Sequence, residues 1–540
     1  MWILGISRHH NGAICLLNDG KIVFYLEEDR LSKIKHDGFC QLVFSKILNY
    51  TNNLDYVALA GYDPLDNNFE HLEFNVYFLL LAKLGLVTST EQIIDLTHEH
   101  HLCHASCGFY NSGFDQAVCV VIDGAGSLYP LENDTVGRET SSIITLEYPN
   151  KLRVLFKNIV TSSDSKHLAL DGIPKNCEIV VTSDLDIGKA YQSVSVYQGF
   201  DIYDCGKTMG WASYGKPNPN IPETFINGRA NMELFTHNRS LTIPKTDSFQ
   251  TQADLAFNIQ SHTQQKALDL IKKAVSISGI KNIVLTGGYA LNCTANYFIR
   301  KNLDADINLY VEPISHDGGT AIGAAKLIHH RVTNSNQVNL LPSLYLGPHQ
   351  EIDLDNAISV SEKDIVDLLL DKNIVAIFQG NSEAGPRALG NRSLLFDPRV
   401  PNGKDIVNEI KRREVFRPFA ASVLEEHAKE WFDLAGMDES PYMMYAVDVI
   451  ISKQILIPAV VHVDRTCRVQ TVGQKEYYFY KLIEEFYKKT GVPMLFNTSF
   501  NLAGEPLVET LEDAIDTLNR SNIEYLYLPE IKKLVHIPNK

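Results

Sequence analysis

Apolar and polar positions fall into short blocks along the first 330 or so residues, and the blocks predict strands that stop at glycine. Trp2 to Ser7 is apolar, Ala13 to Leu17 is apolar again, and Lys21 to Leu26 alternates after the turn Asn18-Asp19-Gly20. That texture reads as strand, strand, hairpin turn and strand. A further strand, Ala117 to Ile122, ends in Asp123-Gly124-Ala125-Gly126. Another, Asn282 to Leu285, ends in Thr286-Gly287-Gly288 and leads into a helical segment from Ala290. A fourth is expected to end at Asp317-Gly318-Gly319-Thr320, ahead of a small-residue helix from Ala321 to Leu327. Strand ends of this kind turn backbone N–H groups toward phosphates. Their recurrence predicts two similar lobes around a nucleotide cleft.

The stretch from Tyr129 to Asp201 has few helix signals and many turn residues, and it reads as an irregular insert over that cleft. Arg331 to Pro348 lacks periodicity and reads as a connector. Beyond it Arg387, Arg392, Arg399, Lys404, Lys411, Arg412, Arg413 and Arg417 are interleaved with Gly, Pro and apolar runs. Lys481 to Lys489 is expected on a helix and Met494 to Phe496 in a strand. The predicted domains are 1–340 and a second α/β domain over 345–540, in keeping with 540 residues, too many for one core. Hydrophobic residues at 45% and charged residues at 21% exclude wholesale disorder. A net charge of −16 disfavours bulk nucleic-acid binding by phosphate neutralisation, though not a local basic pocket. Met1 to Ile6 lacks the lead-in of a secretory signal, and Val76 to Ala82 is too short to span a bilayer, so a cytoplasmic protein without a membrane partner is expected. Nine cysteines without a C-x-x-C pair fit a reducing compartment. Cys103 and Cys107, four apart, read as buried thiols in preference to soft metal ligands.

Two constellations carry chemistry. In H-H-L-C-H-A, His100 and His104 are four apart, which on a helix puts both imidazoles on one face. With Asp123 and Asp317 they form a donor set suited to Fe(II), Mn or Zn with open positions. His101 projects elsewhere. The second constellation is G-N-S-E-A-G-P-R-A-L-G-N-R-S (380–393), with K-R-R-E-V-F-R-P-F (411–419), H-V-D-R-T-C-R-V-Q (462–470) and F-N-T-S-F-N (496–501). Arginines converging from separate segments suit a phosphorylated ligand, and Asn497 and Ser499 add neutral donors. Near the start, His9-His10 follows the first strand; His10 is a candidate general base and Lys35 a candidate anion contact. Lys207, in C-G-K-T-M-G, is either a phosphate contact or a solvated turn lysine.

Taken together, these motifs resemble the O-carbamoyltransferase family of the nodulation, cephamycin and tobramycin type over nearly the whole chain. The ordered matches are H-H-x-x-H-A, D-G-x-G, G-K-x-M-G, L-x-G-G-x-A-L-N, H-D-G-G, G-P-R-A-L-G-N-R-S, K-x-R-E-x-F-R-P-F and F-N-T-S-F-N. The resemblance implies a two-lobed actin-like N-terminal domain and a YrdC-like α/β C-terminal domain. It implies iron held by His100, His104, Asp123 and Asp317, a nucleotide cleft at Gly124, Lys207, Gly288 and Asn292, and His10, Lys35 and Asp123 at the transfer site. Carbamoyl phosphate and ATP, with Mg, would bind at Arg387, Lys411, Arg417, Arg468, Asn497 and Ser499. The implied reaction makes carbamoyl-adenylate, then passes the carbamoyl group to an acceptor hydroxyl. Family acceptors include sugar hydroxyls and, in virus-type relatives, 5-hydroxymethylcytosine in DNA, so nucleic acid enters only as an acceptor. A homo-oligomer is compatible with this reading. Two departures, G-W-A-S-Y-G (Gly210 to Gly215) and Arg465, bear on acceptor choice. The alternatives are a tRNA N-carbamoyl transferase and a non-enzymatic actin-like nucleotide switch.

Overall fold

A computed structural model describes the chain except residues 9, 62–69, 133–134, 163–175, 236–239, 353, 355–356 and 539–540. It comprises two compact units, one of residues 1–32 and 36–342, the other of residues 33–35 and 343–540.

The first unit is built on two large sheets. In one, the order is Lys21–Glu27, Ala13–Asn18, Trp2–Ser7, Tyr56–Ala60, Ile93–Asp95. The first three strands form an antiparallel meander, and the rest run parallel to Trp2–Ser7. The hairpin closes because Asp19 and Gly20 both adopt positive φ (48° and 79°), the backbone of a two-residue turn whose twist matches its strands. The other sheet runs Glu178–Thr182, Lys151–Val160, Thr135–Glu147, Gln116–Ile122, Asn282–Thr286, Asn308–Val311. Here again a central strand, Gln116–Ile122, has an antiparallel meander on one side and parallel strands on the other. The repeated order defines the two-lobed actin-like fold.

Two expectations need correction. The segment 129–201 is not an irregular insert: its described residues include the strands Thr135–Glu147 and Lys151–Val160 and the helix Ile187–Tyr197. Its first long strand is hard to read because polar residues are buried beside apolar ones: Glu139, Ser141 and Ser142 as well as Ile143 and Ile144. Nor does Asp317 end a strand. Asn308–Val311 stops well before it, and Asp317 lies just ahead of the helix Gly319–Thr333, which also shortens the expected connector. Similarly, a 3-10 turn, Gly288–Leu291, precedes the helix Cys293–Lys301.

The small residues of Gly319–Thr333 have a packing reason. A Cβ on Gly323 would lie 1.8 Å from the Cys103 carbonyl oxygen, and one on Gly5 would lie 1.9 Å from that of Ala321. The helix therefore fits between the strand Trp2–Ser7 and the helix His100–Ser112 only because side chains are missing at those contacts. Every residue of His100–Ser112 is buried, Cys103 and Cys107 included.

The second unit holds a separate ten-stranded mixed sheet, with Arg392–Phe396, Met494–Ser499, Ala420–Leu424 and Thr466–Val472 consecutive near its middle. Helices such as Glu362–Leu370 and Tyr477–Thr490 accompany it, so the chain as a whole is mixed α/β. Among the described residues, no helix is long and apolar enough to cross a membrane.

Candidate metal centre and cationic site

Each donor of the first unit reaches the centre by a different route. His100 and His104 lie one turn apart on His100–Ser112. Asp123 follows the strand Gln116–Ile122, and Asp317 is held by its main chain, whose carbonyl accepts hydrogen bonds from the hydroxyls of Ser7 (2.8 Å) and Thr320 (2.6 Å). All four residues are buried, and their donor atoms lie within 4.8 Å of one another. The Nε2 atoms of His100 and His104 are 3.2 Å apart. His100 Nε2 is 3.6 Å from Asp123 Oδ2 and 4.0 Å from Asp317 Oδ1, and His104 Nε2 is 3.6 Å from Asp317 Oδ1. Ligand atoms at about 2.1 Å from one divalent ion are separated by about 3.0–4.2 Å, a range that holds the four spacings from 3.2 to 4.0 Å around the two imidazoles.

The electrostatics agree. Burial would lower His100, but hydrogen bonding to Asp123 and the charges of Asp317 and Asp123 raise it to about 9. Burial pushes Asp123 up, yet His100 and His104 hold it well below the ordinary carboxylate range. Burial likewise opposes ionisation of Asp317, but His10, then His104 and His100, hold it at about 2. Two buried carboxylates and two imidazoles gathered in this way form a donor set that could hold a metal ion. His100 Nδ1 lies 2.9 Å from the Gly61 carbonyl oxygen; a hydrogen bond donated there leaves Nε2 as the atom that faces the other donors.

His10 joins this cluster from the first lobe: its Nε2 is 3.2 Å from Asp317 Oδ2, and its ring stacks on Tyr203 at 4.4 Å. His9 lies outside the described residues. Lys35 is exposed and belongs to the short stretch grouped with the second unit. Gly124 and Gly288 sit side by side at their strand ends, where Gly288 N–H donates to Asp123 Oδ1 (3.1 Å). Asn292 caps the helix Cys293–Lys301 by accepting from Ala295 N–H and also pairs with Gln260. Lys207 forms an ion pair with Asp204 at 3.0 Å. Trp211 packs between Phe200 and Phe249.

Sequence reasoning missed the support of the metal helix. The side chain of Glu99, which precedes the helix, makes no capping bond to it. Instead Ser127 Oγ accepts from His100 N–H (3.1 Å), and Glu139 Oε1 accepts from His101 N–H and Ser127 N–H, both at 3.2 Å. Lys157 donates to the other oxygen of Glu139. His101 is thus directed to Ser142, 2.8 Å from its Nδ1, and away from the metal donors.

In the second unit, Ala420 pairs laterally with Arg468 on one side and with Asn497 on the other. Laterally paired residues share a face, and so does Ser499, two residues beyond Asn497. Lys411 is buried on that side, donating to Ser499 Oγ (3.1 Å) and Asn501 Oδ1 (2.9 Å). Burial and the charges of Arg413 and Arg417 depress Lys411 well below its ordinary range. Burial, Arg417 and Arg468 do the same to Arg413. Buried cations crowded by neighbouring arginines form a site relieved by a polyanion. Arg413, between Lys411 and Arg417 in K-R-R-E, is a member the sequence reading did not select.

The neighbouring loop is ordered by Glu383, whose Oε1 accepts from the N–H groups of Leu389 (2.7 Å), Asn391 (2.9 Å) and Arg392 (3.2 Å). Arg387, half-buried, lies on it. Arg392 corrects the expectation of a ligand contact: it is fully buried, stacks on Phe378, and donates to the carbonyls of Gln379 (2.6 Å), Gly380 (3.1 Å) and Glu509 (3.3 Å). Its guanidinium is engaged in holding the loop. Arg465 is exposed, in a left-handed turn (φ 69°).

Fold and sites together define an α/β enzyme with a candidate metal centre in an actin-like unit. The chain belongs to the carbamoyltransferase family: residues 65–326 match the carbamoyltransferase N-terminus and residues 366–533 the carbamoyltransferase C-terminus. It is 31% identical over 565 residues to the nodulation protein NolNO of Sinorhizobium fredii (strain NBRC 101917 / NGR234), covering 96% of this chain and 78% of that protein. It is 26% identical to nodulation protein U of Bradyrhizobium diazoefficiens, covering 93% of this chain and 92% of that protein. Among solved structures, that of HypF from T. kodakarensis covers 61% of this chain and 47% of its own at 14% identity and a TM-score of 0.35.

Proposed function

We propose that the protein is an O-carbamoyltransferase that makes carbamoyl-adenylate in its second unit and transfers the carbamoyl group to an acceptor hydroxyl in its first. The observation that carries this reading is that a family member holds two separate charge-built sites: a buried His2Asp2 cluster faced by His10, and a group of buried cations, Lys411 and Arg413, crowded by Arg417 and Arg468. The chemistry balances with one water consumed. Carbamoyl phosphate releases phosphate, the resulting carbamate displaces pyrophosphate from ATP, and the acceptor oxygen displaces AMP.

Arg387, Lys411, Arg417 and Arg468, with Asn497 and Ser499, bind the phosphates of carbamoyl phosphate and ATP, the latter as its Mg complex, and offset charge as the adenylate forms. His100, His104, Asp123 and Asp317 hold a divalent metal, taken to be iron. When bound, it supplies Lewis-acid polarisation and an anchor for anionic oxygens. His10 takes the acceptor proton, and Asp317 Oδ2, 3.2 Å from its Nε2, stabilises the resulting imidazolium. The acceptor is a hydroxylated small molecule or sugar, or a hydroxymethylated pyrimidine.

The test is incubation with ATP, carbamoyl phosphate and candidate acceptors, read by mass spectrometry for replacement of a hydroxyl hydrogen by a carbamoyl group. Absence of both product and pyrophosphate release would overturn the reading. Arg417→Ala is expected to lower pyrophosphate release by about 100-fold, the scale of one lost charge-stabilising donor, with metal content unchanged. An unaltered rate in this variant would remove Arg417 from the site.

A further inference from the structure

His10 lies in a turn after the strand Trp2–Ser7, and that turn is braced from two directions. The first brace is the loop at residues 36–38. Gly12 N–H donates to the Asp37 carbonyl at 2.8 Å, Asn11 N–H donates to the His36 carbonyl at 3.4 Å, and Asn11 Nδ2 lies 3.1 Å from His36 Nδ1. A Cβ on Gly12 would fall 2.8 Å from the Gly38 carbonyl oxygen, so the two loops meet backbone to backbone. Asn11 and His36 are both left-handed, with φ of 59° and 63°. Such residues persist only where their surroundings over-determine them. The second brace is Tyr203. Its turn is set by Asp201, whose Oδ1 accepts from Tyr203 N–H (3.0 Å) and whose carbonyl accepts from Asp204 N–H (2.9 Å), just ahead of the helix Cys205–Ala212. The Tyr203 ring stacks on His10 at 4.4 Å and 23°, and it meets His36 at 5.1 Å and 45°. One ring therefore touches both loops.

We propose that Tyr203 is a positioning residue for carbamoyl transfer, its ring fixing the plane of the His10 imidazole while Asp317 fixes one of its atoms. This rests on the reading of His10 as the group that takes the acceptor proton. The two contacts do different work. The 3.2 Å approach of Nε2 to Asp317 Oδ2 anchors one atom and leaves the ring free to swing about it. The outer torsion of a histidine side chain is broad, so nothing within the residue itself stops that swing. A ring face packed against the imidazole does stop it, because offset stacking holds the two planes near parallel. With both contacts in place the base stays in the geometry that attack requires. The ring face, and not the tyrosine hydroxyl, makes the contact with His10, so phenylalanine should serve in its place and an aliphatic side chain should not.

The experiment compares Tyr203→Leu and Tyr203→Phe with wild type in the full chain. Histidine ring signals are read by NMR on the diamagnetic zinc-loaded form, with His10→Asn assigning the His10 signal. Transfer is measured as kcat and KM with glucose and with 5-hydroxymethylcytidine 5′-monophosphate, beside pyrophosphate release, metal content and melting temperature. A stacked aromatic ring shields the protons beneath it, so the His10 signal should lie upfield in wild type and Tyr203→Phe and move downfield in Tyr203→Leu. Expected with that shift is a kcat about tenfold lower in Tyr203→Leu, the scale of one aromatic pair. KM, pyrophosphate release, metal content and melting temperature stay at wild-type values, and Tyr203→Phe keeps most of the rate. A His10 signal that does not move in Tyr203→Leu overturns the inference alone, as does a moved signal with an unchanged kcat. A rise in KM without a fall in kcat also overturns it, since Tyr203 would then be an acceptor contact. So does a loss of rate that tracks metal content or melting temperature. A wild type that releases pyrophosphate but carbamoylates neither probe excludes those two acceptors, and the His10 signal then decides the inference. A wild type that releases no pyrophosphate overturns the carbamoyl-adenylate reading and this inference together.

Discussion

Asp317→Ala is expected to abolish carbamoyl transfer, by about a thousandfold or more, while pyrophosphate release from ATP and carbamoyl phosphate continues. The size follows from the number of interactions ending on one carboxylate. Oδ1 lies 3.6 Å from His104 Nε2 and 4.0 Å from His100 Nε2, and Oδ2 lies 3.2 Å from His10 Nε2. The substitution removes a metal donor and the partner of the proposed base together. Because the loop is held through the Asp317 main-chain carbonyl by Ser7 and Thr320, losing the side chain should not release the backbone. Elemental analysis should find the bound metal depleted, and Asp317→Asn should lie near alanine, since charge and not volume is what the imidazoles require. A variant that kept its metal and transferred at the wild-type rate would remove Asp317 from the centre.

The route by which sequence led to that residue shows what a linear reading can carry. His100 and His104 were legible because helical spacing alone aligns them, and the helix His100–Ser112 is there. Asp317 was legible as an Asp-Gly-Gly signal, but its position before a helix and not after a strand depends on how Gly319–Thr333 packs against Cys103. Arg387 and Arg392 look equivalent in G-P-R-A-L-G-N-R-S. They differ because Arg392 starts a central strand opposite Phe378, which buries it, whereas Arg387 stays on the loop. The strand Thr135–Glu147 was read as irregular because buried polar partners suppress alternation. Its Glu139 faces Lys157 on the next strand, and Ser141 faces Asp186 from beyond that strand. Tyr203 under His10 and Ser127 at the metal helix have no local signature; each matters through a contact made only on folding.

Glu139→Ala is expected to destabilise the first unit by about 3–5 kcal/mol, the range for breaking a buried ion pair by removing one partner. Two effects combine. Lys157 keeps a buried ammonium without its carboxylate, and the N–H groups of His101 and Ser127 lose their acceptor. Variants separate the two. Glu139→Gln retains an acceptor oxygen but not the charge, so it should fall between alanine and wild type. Adding Lys157→Met to Glu139→Gln removes the stranded ammonium as well and should recover most of the loss. Denaturant titration of the four proteins should therefore order them wild type, double variant, Gln, Ala. The pH dependence has a definite sign. Burial raises the Glu139 carboxyl, but His101 and Lys157 outweigh it and hold the group at about 2, below its ordinary 4.5. A depressed carboxyl contributes stability in full above its unfolded value and loses it as pH falls through the folded one. The advantage of wild type over the double variant should therefore shrink between pH about 4.5 and about 2. If alanine at 139 left the unfolding midpoint unchanged, the pair would be a bystander, and the N–H groups of His101 and Ser127 would have to be satisfied by something other than this carboxylate.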